Sequence, residues 1–173
     1  MSRFLRMIAS MKRWDGTESV EREDGLFTGD VLADLRTQKN RLSVWQVDSD
    51  QDIDDAIVAL ALSRDKVQKL CYLLLDDNEL ADLEINIKKD IPVEVKAVND
   101  PLVLSKHWDL VNIDYWRLGY LTEYMLKLAS EKTRRGMRSD KEVKQLLSSY
   151  NKAHKISLSE MKKDFLDSLN KIK

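Results

Sequence analysis

Residues 41–77, RLSVWQVDSDQDIDDAIVALALSRDKVQKLCYLLLDD, read as strand, helix, strand, with carboxylates gathered where each strand ends. The β-branched and aromatic content of residues 42–47 marks a strand, with Leu42, Val44 and Gln46 on one face and Ser43, Trp45 and Val47 on the other. Between residues 51 and 63, Ile53, Ile57, Leu60 and Ala61 keep a helical period, and Ala56 is small enough for close approach to a sheet. Residues 67–75 are apolar on both faces from Leu70 onward, the pattern of a central strand covered on both sides. Short links around the helix predict a right-handed βαβ crossover with parallel strands. The fold class that follows is α/β, or α+β, with a small sheet of three to five strands.

Towards the N-terminus, residues 30–37 (DVLADLRT) suit either a short helix or one face of a strand, and Gln38, Lys39 and Asn40 then turn the chain. Residues 15–25 (DGTESVEREDG) form a polar connector in which Asp24 and Gly25 suit a small hairpin. The first 14 residues, MSRFLRMIASMKRW, place Phe4, Leu5, Met7, Ile8, Met11 and Trp14 on one broad helical face. They predict an amphipathic helix docked on the domain or on a partner. The same Arg-rich, acid-free composition occurs in organellar transit peptides and in helices lying on anionic membranes.

Towards the C-terminus, Asp76 and Glu79 have capping-box spacing for a helix over 76–83, and residues 93–98 predict a further strand after Pro92. A helix starting at Asn112 or Asp114 runs to about Lys132. Leu118, Leu121, Met125 and Leu128 form its inner stripe, Tyr115, Trp116, Tyr120 and Tyr124 add aromatic bulk, and Gly136 follows as its stop. Ser139 with Glu142 and Ser157 with Glu160 open two further amphipathic runs. Val143, Leu146, Leu147 and Tyr150 stripe the first, and Leu158, Met161, Phe165, Leu169 and Ile172 stripe the second near heptad spacing. The chain thus divides into an N-terminal helix (1–14), an α/β core (15–110) and a helical C-terminal region (111–173), a hairpin packed on the core or on a partner.

A chain of 173 residues buries roughly two thirds of its unfolded surface, which is enough for a self-sufficient core. Hydrophobic residues at 43% and charged residues at 34%, with no apolar run near the roughly 20 residues that span a bilayer, lead us to expect a soluble protein. The single cysteine, Cys71, sits in the apolar run LCYLLL, so it excludes an intramolecular disulfide, reads as core and points to a cytoplasmic location. The net charge of −1 conceals a division. Residues 126–173 hold 13 Lys+Arg against 6 Asp+Glu, whereas the preceding residues hold 16 against 24. A basic tail behind an acidic front suits a nucleic-acid or acidic partner, or attraction between the two parts themselves.

The sharpest chemical candidate is the acidic cluster Asp48, Asp50, Asp52, Asp54 and Asp55, together with Asp76 and Asp77. Carboxylates at the C-terminal ends of strands in an open α/β sheet can hold Mg²⁺ for phosphoryl or phosphodiester chemistry, here through Asp48, Asp50 and Asp76. An Asp-x-Asp after a strand also occurs in haloacid-dehalogenase-type phosphotransferases, but the downstream lysine and acidic motifs are missing and no resemblance follows. A calcium loop fails because Ile53 and Ala59 stand where it needs glycine and glutamate. Helix capping by Asp50 or Ser49 and by Asp76 accounts for most of the cluster. His107 and His154 stand far apart without cysteine partners, and none of the five glycines lies in a phosphate-binding pattern.

A second alternative is nucleic-acid binding by the basic stretch 132–144, centred on Arg134, Arg135, Arg138 and Lys141. The preferred reading is a non-enzymatic protein-interaction module, an accessory, regulatory or immunity-like inhibitory subunit of a cytoplasmic complex. It would use no cofactor and would bind a protein partner or a second copy. Its expected interface is the pair of terminal apolar stripes, Phe4, Ile8 and Met11 at one end and Leu158, Met161, Phe165 and Leu169 at the other.

Overall fold

The structure of the protein, a computed structural model, describes residues 2–15, 29–89 and 94–172. Among these residues six strands form one sheet: β1 (Arg3–Ile8), β2 (Leu42–Gln46), β3 (Leu70–Asp76), β4 (Asn86–Lys88), β5 (His107–Val111) and β6 (Arg135–Arg138). Their order is β4-β5-β2-β1-β3-β6, and every neighbouring pair is antiparallel. The described residues also form six α-helices: α1 (Met11–Asp15), α2 (Asp50–Leu62), α3 (Asp77–Asp82), α4 (Tyr115–Ser130), α5 (Asp140–Lys152) and α6 (Lys163–Lys171). None of the described helices is long and apolar enough to cross a membrane.

The β2-α2-β3 reading holds in direction but not in adjacency. Because β1 runs antiparallel to both β2 and β3, those two strands are parallel to each other, and β1 is inserted between them. The N-terminal segment is therefore a strand and not the expected helix. The reason lies in its pattern: a strand buried on both faces carries apolar residues in runs, and Phe4, Leu5, Met7 and Ile8 satisfy that pattern as well as the helical one. Alternation sends Phe4 and Ile8 to one side of the sheet and Leu5 and Met7 to the other. Arg6 falls on the Phe4 side, and its guanidinium donates to the backbone carbonyls of Ser43, at 2.8 Å, and Asp34. Burial lowers its pKa to about 10, against the opposing pull of Asp34.

Two cores sandwich the sheet. On one side Leu5, Trp45, Val47, Leu70, Tyr72 and Leu74 pack with α2, α5 and α6. On the other Phe4, Ile8, Leu42, Val44, Leu73 and Leu75 pack with α1 and α4, and Cys71 is buried among them as core. The two faces of β2 are thus occupied as its alternation implied.

The edges depart from expectation. The sheet has six strands instead of three to five, because β4, β5 and β6 add to it. Arg134, Arg135 and Gly136, read as the end of a helix, instead lead into and form edge strand β6, where Gly136 stands opposite Tyr72. A Cβ on Gly136 would lie 2.3 Å from the Tyr72 ring, so only glycine admits that ring. The strand expected over 93–98 reduces, at residues 94–98, to a turn with a single bridge from Val98 to Ile156, and Val93 lies outside the described residues. The connector hairpin at Asp24 and Gly25 also lies outside them. The ambiguous piece at 30–37 is a 3-10 helix, Gly29–Leu35, followed by a tight turn in which Lys39 and Asn40 both take positive φ.

Ser139 and Glu142 close the expected capping box on α5. Ser157 and Glu160 do not: Leu158–Glu160 is one 3-10 turn, the Ser157 N–H donates to the Ala97 carbonyl at 2.7 Å, and α6 begins only at Lys163. The break falls at Met161 and Lys162, whose extended backbone (ψ 149° and 150°) separates the 3-10 turn from α6. The C-terminal hairpin of long helices is accordingly not formed as expected.

Candidate functional site

Of the three carboxylates read as a metal alternative, Asp48 follows β2, Asp50 opens α2 and Asp76 ends β3. Strand β1 separates the first from the last, with Arg3 in register with Asp76 and Phe4 with Gln46. Asp76 is buried and caps α3, accepting from the Asn78 N–H at 3.0 Å. Asp48 accepts from Gln46 Nε2 at 3.2 Å and faces Lys106 at 3.9 Å, while Asp50 is exposed in the first turn of α2. Ser49, not Asp50, caps α2 in a full capping box with Asp52. Burial pushes the Asp52 pKa up, but bonds from the Asp48 N–H and the Ser49 hydroxyl and the Lys106 charge lower it on balance. Asp54 meets Arg138 at 3.3 Å, and Asp55 accepts from the Tyr150 hydroxyl. Among the described residues no three His, Cys, Asp or Glu side chains converge as a metal would require. The acids brace helix starts and helix–sheet contacts.

The basic stretch is similarly occupied. Arg134 donates through Nε to the Leu74 carbonyl at 2.9 Å and meets Glu79 at 2.7 Å. The Tyr124 hydroxyl donates to the same carboxylate at 2.6 Å and accepts from the Asp76 N–H at 2.9 Å, so one network joins α3, α4 and the end of β3. Arg135 donates to the Ala129 carbonyl at 2.6 Å, closing the end of α4. Arg138 pairs with Asp54, and only Lys141 of the four is exposed, in the first turn of α5. His107 is buried edge-on against Trp45, with ring centroids 5.3 Å apart.

The terminal stripes find partners inside the chain. Phe4 and Ile8 are buried in one core, where Met11 packs at its margin, and Phe165 and Leu169 are buried in the other beside half-buried Leu158 and Met161. What the sequence read as interface is largely the domain's own packing.

Among the described residues a different surface stays uncovered. Helix α4 starts at Asp114, whose carboxylate accepts from the Arg117 N–H at 2.9 Å. Its buried stripe is Leu121, Tyr124, Met125, Leu128 and Ala129. Leu118 packs at the core's margin, but Tyr115, Trp116 and Tyr120 point the other way and are 81%, 70% and 52% exposed. Leu32, on the 3-10 helix that packs beside α4, is 50% exposed and lines the same concavity of about 380 Å³. Gly119 lies in its floor with nothing within 4 Å of where a Cβ would stand. A second concavity of about 440 Å³ shares Trp116 and Tyr120 and reaches Asp82 and Glu84. The two concavities adjoin along Trp116 and Tyr120, so this groove over α4 has aromatic residues at its centre and acidic residues on either side. The sequence pattern marks these residues only as aromatic bulk beside the inner stripe. The available signal was angular: Tyr115, Trp116 and Gly119 fall off the face shared by Leu121, Met125 and Leu128.

Comparison with protein-family models, with curated proteins and with solved structures finds no match to this chain.

Proposed function

We propose that this chain is a protein-interaction module, an accessory or regulatory subunit that docks a protein partner on the exposed aromatic face of α4. The observation that carries the reading is the clustering of Tyr115, Trp116 and Tyr120, each more than half exposed, around one groove. Clustered exposed aromatics are disfavoured on a free surface and enriched in interfaces, where Trp and Tyr dominate the binding energy. Arg134, Arg135 and Arg138 are engaged within the fold, and the acidic carboxylates cap helices and pair with lysine and arginine. Both observations favour docking over phosphate binding or metal-assisted chemistry.

The test is mass-resolved co-purification of the tagged wild-type protein and a Trp116→Ser variant, with and without nuclease, at low and high salt. The expected result is a stoichiometric protein that accompanies the wild type after nuclease treatment and is lost from the variant. A nucleic acid released by salt, retained equally by the variant, would overturn the reading.

A further inference from the structure

The groove's walls are aromatic, but its rim is acidic. Asp82, Glu84 and Asp114 line one end and Glu123 the other, and all four are exposed. The sole cation among these lining residues is Arg117, and it is already held between Glu84 and Asp114, each at 2.6 Å. Four carboxylates against one internally paired guanidinium leave the rim with a net negative field. Between its ends lie the faces of Tyr115, Trp116 and Tyr120, whose quadrupoles attract cations, Trp most strongly. Helical spacing sets Trp116 one turn from Tyr120 and two turns from Glu123, so the Glu123 carboxylate lies on the same side of α4 as the indole. Gly119, one turn before Glu123, leaves the space between them open.

We propose, resting on the docking reading above, that the occupant of this groove is a basic segment of a partner protein, with an arginine or lysine laid across Trp116 and its charge between the acidic ends. Long aliphatic stems with charged tips match a groove whose middle is apolar and whose ends are anionic. A nucleic acid also offers flat rings to stack, but its phosphates would meet the four carboxylates.

The test is an anisotropy titration of this 173-residue chain with a dye-labelled octapeptide carrying three arginines among glycine and leucine. The same peptide with citrulline for arginine and a labelled single-stranded octanucleotide run in parallel. We expect saturable binding of the arginine peptide, roughly tenfold weaker for the neutral citrulline peptide and roughly tenfold weaker for Trp116→Ala. Gly119→Leu, which fills the floor with a good helix former, should weaken it equally while leaving the fold intact. Equal binding of the arginine and citrulline peptides would overturn the cationic occupant, and the docking reading would survive if Trp116→Ser still loses the co-purified partner. Equal binding by wild type and Trp116→Ala, preference for the oligonucleotide, no binding of any probe, or self-association abolished by Trp116→Ala would each overturn it as well.

Discussion

Tyr115 and Trp116 meet edge to face, ring centroids 5.5 Å apart and planes at 80°, although both rings project into solvent at the start of α4. Both rings line the same concavity over α4. Such a pair has little to do for the fold itself. Trp116→Ala should therefore leave thermal stability within about 0.5 kcal/mol of wild type, as exposed substitutions do, while abolishing partner capture. Calorimetric unfolding checks the first half and co-purification the second. A variant that unfolds instead would show the indole to be structural.

The two glycines on α4 and β6 should respond in opposite directions. Gly119 occupies an exposed helical position with open space above it, so Gly119→Ala should raise stability by about 0.5–1 kcal/mol. Gly136 faces the Tyr72 ring, and Gly136→Ala should cost about 1–3 kcal/mol by displacing it. Denaturant midpoints of the two variants decide this; matching signs would contradict the packing described.

Acid stability should depend on the network at the end of β3. The Tyr124 hydroxyl bond holds the Glu79 pKa below its usual range, with Arg134 adding to the effect and burial opposing it. A carboxylate depressed in the folded state contributes stability above its unfolded pKa and loses that contribution as pH falls through the folded pKa. Tyr124→Phe removes the bond and leaves the Asp76 N–H unpaired, so stability at neutral pH should drop by about 1–3 kcal/mol. The acid limb of the stability curve should flatten at the same time. Urea unfolding between neutral and acid pH measures both effects, and an unchanged acid limb would contradict the assignment.

The two serine signals near the C-terminus differ in weight. Ser139 donates to and accepts from a closed capping box, so Ser139→Ala should destabilise by about 1 kcal/mol. Ser157 makes no side-chain cap bond and contacts Ser159 Oγ at 2.8 Å, so Ser157→Ala should change stability by less than about 0.5 kcal/mol. Equal losses would mean that the second helix starts earlier than described.

Local signals were legible wherever one segment decided its own structure: the period of α2, the Ser139 box, the alternation of β2 and the buried run of β3. What required tertiary information was strand placement. Residues 3–8 carry apolar groups that a helix or a doubly buried strand would use equally well, and only the gap between β2 and β3 selects the strand. Strand β5 carries Trp108, Leu110 and Val111 but is interrupted by buried His107 and Asp109, and β6 is short and contains glycine. The candidate surface was hidden by the same ambiguity. Of the four aromatic residues on α4, Tyr124 joins the inner stripe while Tyr115, Trp116 and Tyr120 face outward, and only the packing of the helix separates them.

The central claim, that the aromatic face of α4 is the docking surface, is tested most directly by hydrogen–deuterium exchange of the native protein alone and in its co-purified complex. The account predicts new protection over residues 114–123 and 29–35, with the β6 edge and α5 unchanged. Protection confined to residues 135–152, with 114–123 exchanging as in the free protein, would contradict it.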